Sequence, residues 1–355
     1  MTPKKRKPEN RGLPKGWQLH HGAYYYRVPP GTEPQWDNKK RFRLGKSLAE
    51  AYKVWAERMQ YLDEARTIGQ LLERYALEVV PTKAPKTQKE SARYIQKLTA
   101  VFGHMLIPDL QPSHVYQYID KREAKTSAIH EIALLRHSLT KAVEWGLINK
   151  NQLIGQVNLR GRKGKPRDRY IEDWEVVEAL TLPSRRKYGS VRMVQAYIRL
   201  KILTGLRRGD LLRLKVSDCD EASEGIKVQP HKTAMTTGKR LIIEWSDELR
   251  AVVAEVLAAR PVDISPYLFC NRRGEPYFNE ATGEANGFDS VWGRFMTRLL
   301  TDTKVTERFT EHDLRAKCAS DASSLEHAKH LLGHTTEQTT ERYYRRKPER
   351  VKPLK

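Results

Sequence analysis

The first fifty residues show β-type patterns followed by a helical one. Residues 22–28 contain three consecutive tyrosines and end in a valine, and aromatic and β-branched residues favour half-buried strands. Residues 39–45 alternate basic and apolar positions, which predicts a strand with one core face and one cationic face. Ser47 and Glu50 have the spacing of a capping box, and the apolar positions after them recur at helical spacing. We therefore predict a small sheet that packs on one helix.

Between residues 67 and 152 the apolar positions recur at helical spacing throughout. Four such stripes follow one another along the chain. Pro112 stands at the first turn of the third, where a proline costs no hydrogen bond. Gly146 follows the fourth and fits its carboxyl-terminal cap. The pattern predicts a four-helix domain and by itself proves no more.

Residues 160–169 separate this helical region from the second half of the chain. Glycines and Pro166 interrupt regular structure there, and most of the remaining residues are Arg or Lys. Such a stretch is typical of a linker that holds to phosphate. A solvated tether without a partner explains the same composition.

The second half is predicted to be mostly helical, with one hairpin. Apolar residues recur at helical spacing from 191 to 202, and Gly205 is placed to end that helix. Residues 226–228 and 240–243 predict two strands on either side of a turn. A further helical stripe follows at 249–257. This half therefore predicts a mixed domain in which helices dominate.

The last predicted helix is short and lies close to the end of the chain. Thr335 and Gln338 have the spacing of a capping box, which predicts where this helix begins. It would carry Tyr343 and Tyr344. Neighbouring residues on a helix point about 100° apart, so only one of the two phenols can face a given ligand.

Composition indicates a folded protein with an acidic partner. The 355 residues are enough for two or three domains, and 39% hydrophobic residues exclude a disordered polycation. Lys and Arg number 65 against 43 acidic residues, which gives a net charge of +22 and favours an acidic polymer or surface as the partner. Three cysteines without a CxxC pair argue against a zinc ribbon and fit a reducing cytoplasm. No apolar run reaches the roughly 20 residues of a membrane span, and the basic amino terminus is not followed by the apolar segment of a signal peptide.

Arginines, histidines and a tyrosine cluster in the motifs of the second half. A guanidinium group matches two phosphate oxygens at once and stays charged, and Arg207 and Arg315 are the candidates. Arg208 is the rival of Arg207. A phenol has a pKa near ~10 and needs help to lose its proton, which His312 and nearby cations could provide. Together such groups can hold a phosphodiester and attack its phosphorus.

Three histidines of the same region allow a different chemistry. His327, His330 and His334 are spaced so that they share one helical face, which could bind zinc. Only Cys318 or Glu326 could complete such a site. We therefore expect His327 and His330 to be surface or packing residues.

The order of these motifs resembles the tyrosine recombinase (phage integrase) family. Residues 204–210 read TGLRRGD, 312–315 read HDLR and 331–334 read LLGH, and Tyr343 follows His334 by nine residues. Asp210 stands where that family usually carries glutamate, which keeps the charge and shortens the reach. The resemblance is close in the second half and concerns only the organisation of the first.

The resemblance implies a role for each motif residue. Arg207 and Arg315 would neutralise the scissile phosphate, and His334 would hydrogen-bond to it. The nine-residue spacing selects Tyr343 over Tyr344 as the nucleophile. His231-Lys232-Thr233 resembles the lysine triplet of the family's hairpin, which makes Lys232 the general acid and Lys239 its competitor. The supporting carboxylate would be Asp210. The product would be a 3′-phosphotyrosyl link, which requires no metal and no cofactor.

The resemblance also implies a fold: mainly α with small β elements, with a mixed α/β catalytic domain of the tyrosine recombinase and type IB topoisomerase kind. The expected boundaries are 1–62 for an arm-type DNA-binding domain with a three-stranded sheet, 66–155 for a helical core-binding domain, 156–169 for the basic linker and 170–355 for the catalytic domain. DNA contacts are expected from basic residues of the first domain and the linker: Lys39, Lys40, Arg41, Arg43, Arg162, Lys163 and Lys165.

The function that follows is site-specific recombination by an integrase of a phage or mobile element, for integration and excision. The expected partners are double-stranded DNA at core and arm attachment sites, a homotetramer on that DNA, a host DNA-bending protein and an excisionase, with no membrane. The expected place is the bacterial cytoplasm, at the nucleoid. The alternatives are a type IB DNA topoisomerase and a DNA-binding factor without recombination activity.

Overall fold

The computed structural model of the chain describes residues 10, 12–14, 16–28, 36–59, 65–159, 161–162, 167–184, 190–231, 234, 238–348 and 351–354. The chain divides into two compact units, Met1–Lys165 and Pro166–Lys355. The finer division into an arm-binding domain, a core-binding domain, a linker and a catalytic domain stays a prediction. Among the described residues, no helix is both long and apolar enough to cross a membrane.

The first unit begins with an antiparallel sheet and one helix. The strands β1 (Trp17–His20), β2 (Ala23–Arg27) and β3 (Arg41–Gly45) follow in sequence order, and α1 is Leu48–Met59. Phe42 and Leu44 are buried whereas Arg41 and Arg43 are exposed, because successive side chains of a strand point to opposite faces. The alternation that predicted a core face and a cationic face is thus confirmed.

The start of α1 differs slightly from the predicted capping box. Ser47 Oγ accepts a hydrogen bond from the Glu50 backbone N–H at 3.1 Å, as expected. The Glu50 carboxylate, however, accepts from the backbone N–H of Lys46 at 2.8 Å, one residue before the cap. The reach of the glutamate side chain allows either donor.

The helical part of the first unit consists of α2 (Ile68–Glu78), α3 (Pro85–Phe102), α4 (Pro112–Lys121) and α5 (Lys125–Glu144). Short 3₁₀ turns occur at Val80–Thr82 and Ile107–Asp109. Pro112 is the first residue of α4, as predicted. Gly146, with φ 72°, follows the cap of α5. These helices share one hydrophobic core that includes Leu71, Leu98 and Leu135.

The second unit is mostly helical, as predicted. Its helices are α6 (Asp173–Thr181), α7 (Ser190–Thr204), α8 (Arg208–Leu211), α9 (Asp247–Ala258), α10 (Asn286–Asp302), α11 (Glu311–Asp321), α12 (Leu325–Leu331) and α13 (Glu337–Tyr344). The predicted hairpin is formed by β4 (Gly225–Val228) and β5 (Leu241–Glu244), and a 3₁₀ turn lies at Val216–Cys219.

Helix α7 lies at the centre of this unit and packs against α9, α10 and α11. The buried phenol ring of Tyr197 on α7 contacts the rings of Phe269, Phe288 and Trp292. Buried aromatic rings contribute much of the free energy of such a core. These contacts hold α7 against α10 and against the segment that contains Phe269.

The start of α13 corrects the sequence prediction. Its amino-terminal cap is Thr336 rather than Thr335, and no side chain of the cap binds the helix backbone. Thr336 Oγ1 instead lies 3.0 Å from Thr339 Oγ1. Gln338 therefore falls at the second helical position, one place short of the position that a capping box requires.

Candidate active site

Arg207 is held by the sharp end of α7. Gly205 follows that helix with φ 61°, a left-handed conformation that glycine adopts without steric cost. Leu206 is buried. Arg207 is the amino-terminal cap residue of α8 and is itself half-buried. A Cβ atom added to Gly205 would lie 2.8 Å from Leu332 Cδ2 and 2.9 Å from Cys318 Sγ. Only glycine therefore fits where the first motif turns towards the others.

Arg315 joins three parts of the unit. Its side chain, on α11, is 1% exposed. Nη1 donates to the carbonyl oxygen of Gly205. Nη2 donates to the carbonyl oxygen of Leu332 at 2.7 Å and lies 3.2 Å from His334 Nε2. The Nε–H has no hydrogen-bond partner among the described residues. A buried donor without a partner is costly, and an acceptor that reached this N–H would offset the cost.

His334 is a neutral ring in a fixed orientation. Burial and the positive charges of Arg315 and Arg207 lower the pKa of His334 to about 4. Its Nδ1 lies 2.8 Å from Thr340 Oγ1. Because Arg315 can only donate, Nε2 accepts and Nδ1 carries the proton that the threonine hydroxyl accepts. The ring thereby links the HDLR motif to the helix of the two tyrosines.

His312 is more exposed and is also neutral at neutral pH. Partial burial of the ring, together with the positive charges of Lys201 and Arg315, lowers the pKa of His312 below its usual value. A neutral imidazole can accept a proton from a phenol. The position of His312 in the first turn of α11 directs it to the same side of the unit as Arg315.

Positive charge accumulates at this point. Burial and the neighbouring charge of Arg207 lower the pKa of Arg315 to about 10, so the Arg315 guanidinium stays protonated at pH 7. Lys239 lies near enough for its charge to lower the pKa of His334 as well. Cations that repel one another in a partly buried cluster bind an anion more strongly than the same cations in water. The arrangement is typical of a phosphate site.

The structure brings Tyr344, rather than Tyr343, to this cluster. The Tyr344 ring is half-buried, with its centroid 4.9 Å from that of His334, 5.3 Å from that of His312 and 5.4 Å from Arg315 Cζ. Tyr343 is 43% exposed.

The cause lies in the face that α13 buries. Thr340 is fully buried against His334, and residues four apart share a helix face. Tyr344 follows Thr340 onto the buried face, and Tyr343 then points about 100° away. Thr340 was not predicted as a site residue. The i,i+4 spacing of Thr340 and Tyr344 is the signal by which both could have been found.

Asp210 supports the predicted lysine segment. In the described part of the chain no ion pair joins Asp210 to Arg207. Asp210 is buried, and its Oδ1 accepts a hydrogen bond from the backbone N–H of His231 at 2.9 Å. The predicted general acid, Lys232, lies outside the described residues. Asp210 thus binds the backbone of His231, the residue directly before Lys232.

Arg208, the rival of Arg207, is engaged elsewhere. It forms ion pairs with Asp289 and with Glu311, the latter at 3.2 Å from Nε to Oε1. The Arg208 guanidinium therefore binds carboxylates of the protein and does not line an open anion site. Arg207, by contrast, is the group whose charge lowers the pKa values of Arg315 and His334.

The predicted DNA-binding residues of the first unit lie on the exposed side of the sheet and beside it. Arg43 pairs in register with Tyr25, and Arg41 pairs with Arg27. The Arg41 guanidinium lies 4.5 Å from the centroid of the Tyr25 ring. Arg27 was not among the predicted DNA-binding residues, and it is also exposed.

The remaining predicted contacts are partly described. Lys39 and Lys40 are exposed. Arg162 forms an ion pair with Asp120 at 2.9 Å and stacks on Tyr116. Lys163 and Lys165 lie outside the described residues.

The zinc alternative finds no support among the residues that the structure describes. No group of three or more His, Cys, Asp or Glu side chains there could hold a metal ion. His330 instead lies 3.8 Å from Glu326 on an exposed face.

The chain is similar to known proteins. The sequence profile of the phage integrase family matches residues 175–350. The chain is 25% identical over 216 residues to the tyrosine recombinase XerC of Pelotomaculum thermopropionicum (strain DSM 13744 / JCM 10971 / SI), a match that covers 59% of this chain and 66%, just under two thirds, of that relative.

Solved structures share the fold. A lambda integrase dimer bound to a COC′ core site is 20% identical and has a TM-score of 0.61, with 98% of this chain and 99% of that chain covered. A lambda integrase tetramer bound to a Holliday junction is 20% identical, with a TM-score of 0.57 and coverage of 92% and 97%. The Tn1549 transposon integrase (residues 82–397) in complex with circular intermediate DNA is 16% identical, with a TM-score of 0.62 and coverage of 79% and 95%. The predicted fold class is thus confirmed.

Proposed function

Because this chain belongs to the phage integrase family of tyrosine recombinases, we propose that it cuts and rejoins DNA through a 3′-phosphotyrosyl intermediate. The observation that carries this proposal is the buried Arg315 guanidinium, whose Nε–H lacks a partner among the described residues and lies beside Arg207 and His334. Two guanidinium groups and a neutral imidazole match the two non-bridging oxygens of a phosphodiester.

In the proposed reaction the phenol oxygen of Tyr343 attacks the phosphorus and forms a P–O bond. The bond from phosphorus to the 5′ oxygen breaks, and that oxygen leaves as a 5′ hydroxyl. His312 takes the phenol proton, which its lowered pKa permits because the ring is neutral. Arg207 and Arg315 offset the charge that grows on the phosphate. Attack by the 5′ hydroxyl of another strand reverses these bonds and reseals the DNA.

The leaving oxygen needs a proton that the neutral His334 is poorly suited to give. We assign this step to Lys232. The hydrogen bond from the His231 backbone to Asp210 supports the assignment, because it ties the start of the lysine segment to the motif of Arg207. Lys239 remains the competitor, since its charge reaches His334. The reaction as proposed uses no metal and no nucleotide.

The nucleophile is assigned to Tyr343 by its nine-residue spacing from His334. In the structure, Tyr344 is the tyrosine that faces the cluster. Attack by Tyr343 therefore requires α13 to turn or shift when DNA binds. If α13 keeps its orientation on DNA, the nucleophile is Tyr344 and the reaction is otherwise the same.

The test traps the intermediate on a nicked duplex. The substrate carries a candidate attachment site from the DNA that flanks the gene, and the nick lets the cut fragment diffuse away. Wild type, Tyr343→Phe and Tyr344→Phe are compared with EDTA present. We expect a covalent adduct with wild type and with Tyr344→Phe, and none with Tyr343→Phe.

The other outcomes are equally informative. An adduct with Tyr343→Phe and none with Tyr344→Phe would move the nucleophile to Tyr344. Tight binding without any adduct on the authentic site would favour a DNA-binding factor. Relaxation of supercoiled plasmids without a specific site and without strand exchange would favour a type IB topoisomerase.

The finer proposal concerns the biological setting. We propose that the enzyme integrates and excises a phage or mobile element, in the bacterial cytoplasm at the nucleoid. The exposed basic and aromatic face of the first unit, with Arg27, Arg41 and Arg43, supports contact with a second class of DNA site, the arm sites. The proposed assembly is a homotetramer on two duplexes, together with a host DNA-bending protein and an excisionase. Recombination between two attachment-site plasmids, with and without host extract, tests it.

A further inference from the structure

A buried ion pair lies next to the candidate active site, and neither residue belongs to its motifs. Lys201 is on α7, three residues before that helix ends, and its side chain is 1% exposed. Its Nζ donates to Glu311 Oε2 at 2.9 Å. Glu311 is the first residue of α11 and directly precedes His312.

Every oxygen of the Glu311 carboxylate has a partner from the α7 and α8 side. The Tyr197 hydroxyl donates to Oε2 at 3.2 Å, and the Arg208 Nε lies 3.2 Å from Oε1. Lys201 also donates to the Tyr197 oxygen at 3.3 Å. One carboxylate at the start of α11 is therefore bound at once by α7 and by the residue after Arg207.

Packing alone does not account for a lysine at this position. A buried charge costs several kcal/mol unless its partner is well placed, and an apolar pair of similar volume is often as stable or more stable. The neighbours of Lys201 on the inner side of α7 are apolar and aromatic. Unlike an apolar pair, the ion pair fixes the relative orientation of its two residues, because the donor and the acceptor must meet in one geometry.

The relative orientation of α7 and α11 affects the groups proposed to react. Helix α7 leads into Arg207, whereas α11 carries His312 and Arg315. A shift between the two helices would change the separation of the two guanidinium groups. Misplacement of catalytic groups by about 1 Å can lower a rate by roughly a hundredfold.

We propose that Lys201 and Glu311 are positioning residues, which set α11 against α7 so that Arg207, His312 and Arg315 meet one phosphate. The inference rests on the proposed function. It deepens that function by naming a pair that acts on the chemical step without touching DNA.

The test separates chemistry from binding and from stability. Lys201→Met and Glu311→Gln are each compared with wild type in the full chain. DNA affinity is measured by fluorescence anisotropy, and stability is measured by thermal melting. The first-order rate of adduct formation is measured at a saturating concentration of nicked DNA. We expect the adduct rate to fall between about tenfold and a hundredfold. DNA affinity should change less than about twofold, because most phosphate contacts lie elsewhere.

Two further variants exclude a merely structural effect. In Lys201→Met combined with Glu311→Met, an apolar pair replaces the buried charges, so the melting temperature should return towards wild type. The adduct rate should stay low, because the directional contact is still missing. Lys201→Arg, which keeps the charge, should recover part of the rate.

The matched control is Arg199→Gln. Arg199 lies on the same helix and forms an ion pair with Glu255 of α9, away from the motifs. This variant should form adduct at the wild-type rate.

The outcomes are distinguishable from a failure of the proposed function. If wild type forms no adduct on the authentic site, the proposed function fails. If wild type forms adduct and Lys201→Met matches it, or if the rate recovers together with the melting temperature in the Met/Met variant, the positioning role is wrong.

Discussion

At the scale of single residues, the site depends on positions where only one side chain fits. Gly205 is the clearest example, because it combines a left-handed backbone with close contacts on two sides. Its carbonyl oxygen accepts from Arg315, so the conformation of one glycine determines where a buried guanidinium is held.

We expect Gly205→Ala to lower the free energy of unfolding by about 2 to 4 kcal/mol. A left-handed alanine costs about 1 to 2 kcal/mol, and crowding against Leu332 and Cys318 adds a comparable amount. Urea unfolding of the full chain measures this loss. Gly274→Ala is the control: Gly274 has φ 77°, but its nearest neighbours would be 3.7 Å away. Equal losses for the two variants would show that the contacts around Gly205 do not matter.

At the scale of elements, the helical part of the first unit depends on one buried carboxylate. Glu131 of α5 is fully buried and accepts from Tyr118 at 2.5 Å, from Lys97 at 2.9 Å and from Arg122 at 3.0 Å. Burial alone would raise the pKa of Glu131, but these hydrogen bonds lower it to about 2. The three donors come from α3, from α4 and from the residue after α4, and α5 is thereby tied to both helices.

This carboxylate predicts a pH dependence of stability. The folded pKa lies below the usual value of 4.5, so the stabilisation is complete above that value and is lost as the pH falls towards about 2. At neutral pH the lowered pKa of Glu131 contributes about 3 kcal/mol to the free energy of unfolding. Glu131→Gln should therefore be less stable than wild type at pH 7, and the gap should narrow on acidification.

Urea unfolding between pH 7 and pH 3 measures this gap. The control is Glu144→Gln, on the same helix, because Glu144 is exposed and pairs with Lys141. Its change in stability should be small at every pH. A gap for Glu131→Gln that does not depend on pH would contradict the assignment.

At the scale of the whole molecule, charge governs binding to DNA. A net charge of +22 predicts steep salt dependence, because each phosphate contact releases counterions and adds about −0.9 to the slope of log affinity against log salt. Arg41→Gln with Arg43→Gln should flatten that slope by about two units on DNA that carries an arm site. The rate of adduct formation on a core-only substrate should stay unchanged.

Affinity titrations at several salt concentrations test this prediction. Lys53→Gln removes an exposed charge from α1, outside the sheet, and serves as the control that should leave the slope unchanged. If Lys53→Gln flattens the slope as much per charge as the arginine variant does, the sheet face is not the binding surface.

Much of the fold followed from local pattern. The alternation around Phe42 predicted the exposed arginines of β3, and Gly205 and Gly146 were placed correctly at the ends of helices. These features depend on residues a few positions apart, which periodicity detects. The start of α13 was wrong by one residue, because Thr335 and Thr336 have equal capping chemistry and the choice depends on how the helix packs.

The sequence by itself determined the family and the set of candidate site residues, because the order and spacing of the motifs reflect a chemistry that tolerates few substitutions. Only the tertiary structure decided that Tyr344 faces the cluster, that Arg315 is buried with an Nε–H that has no partner among the described residues, and that Lys201 meets Glu311 across 110 positions of the chain. The physical reason is that these contacts depend on how helices pack and on which face each one buries. Such distant contacts leave no periodic signal in the residues around them.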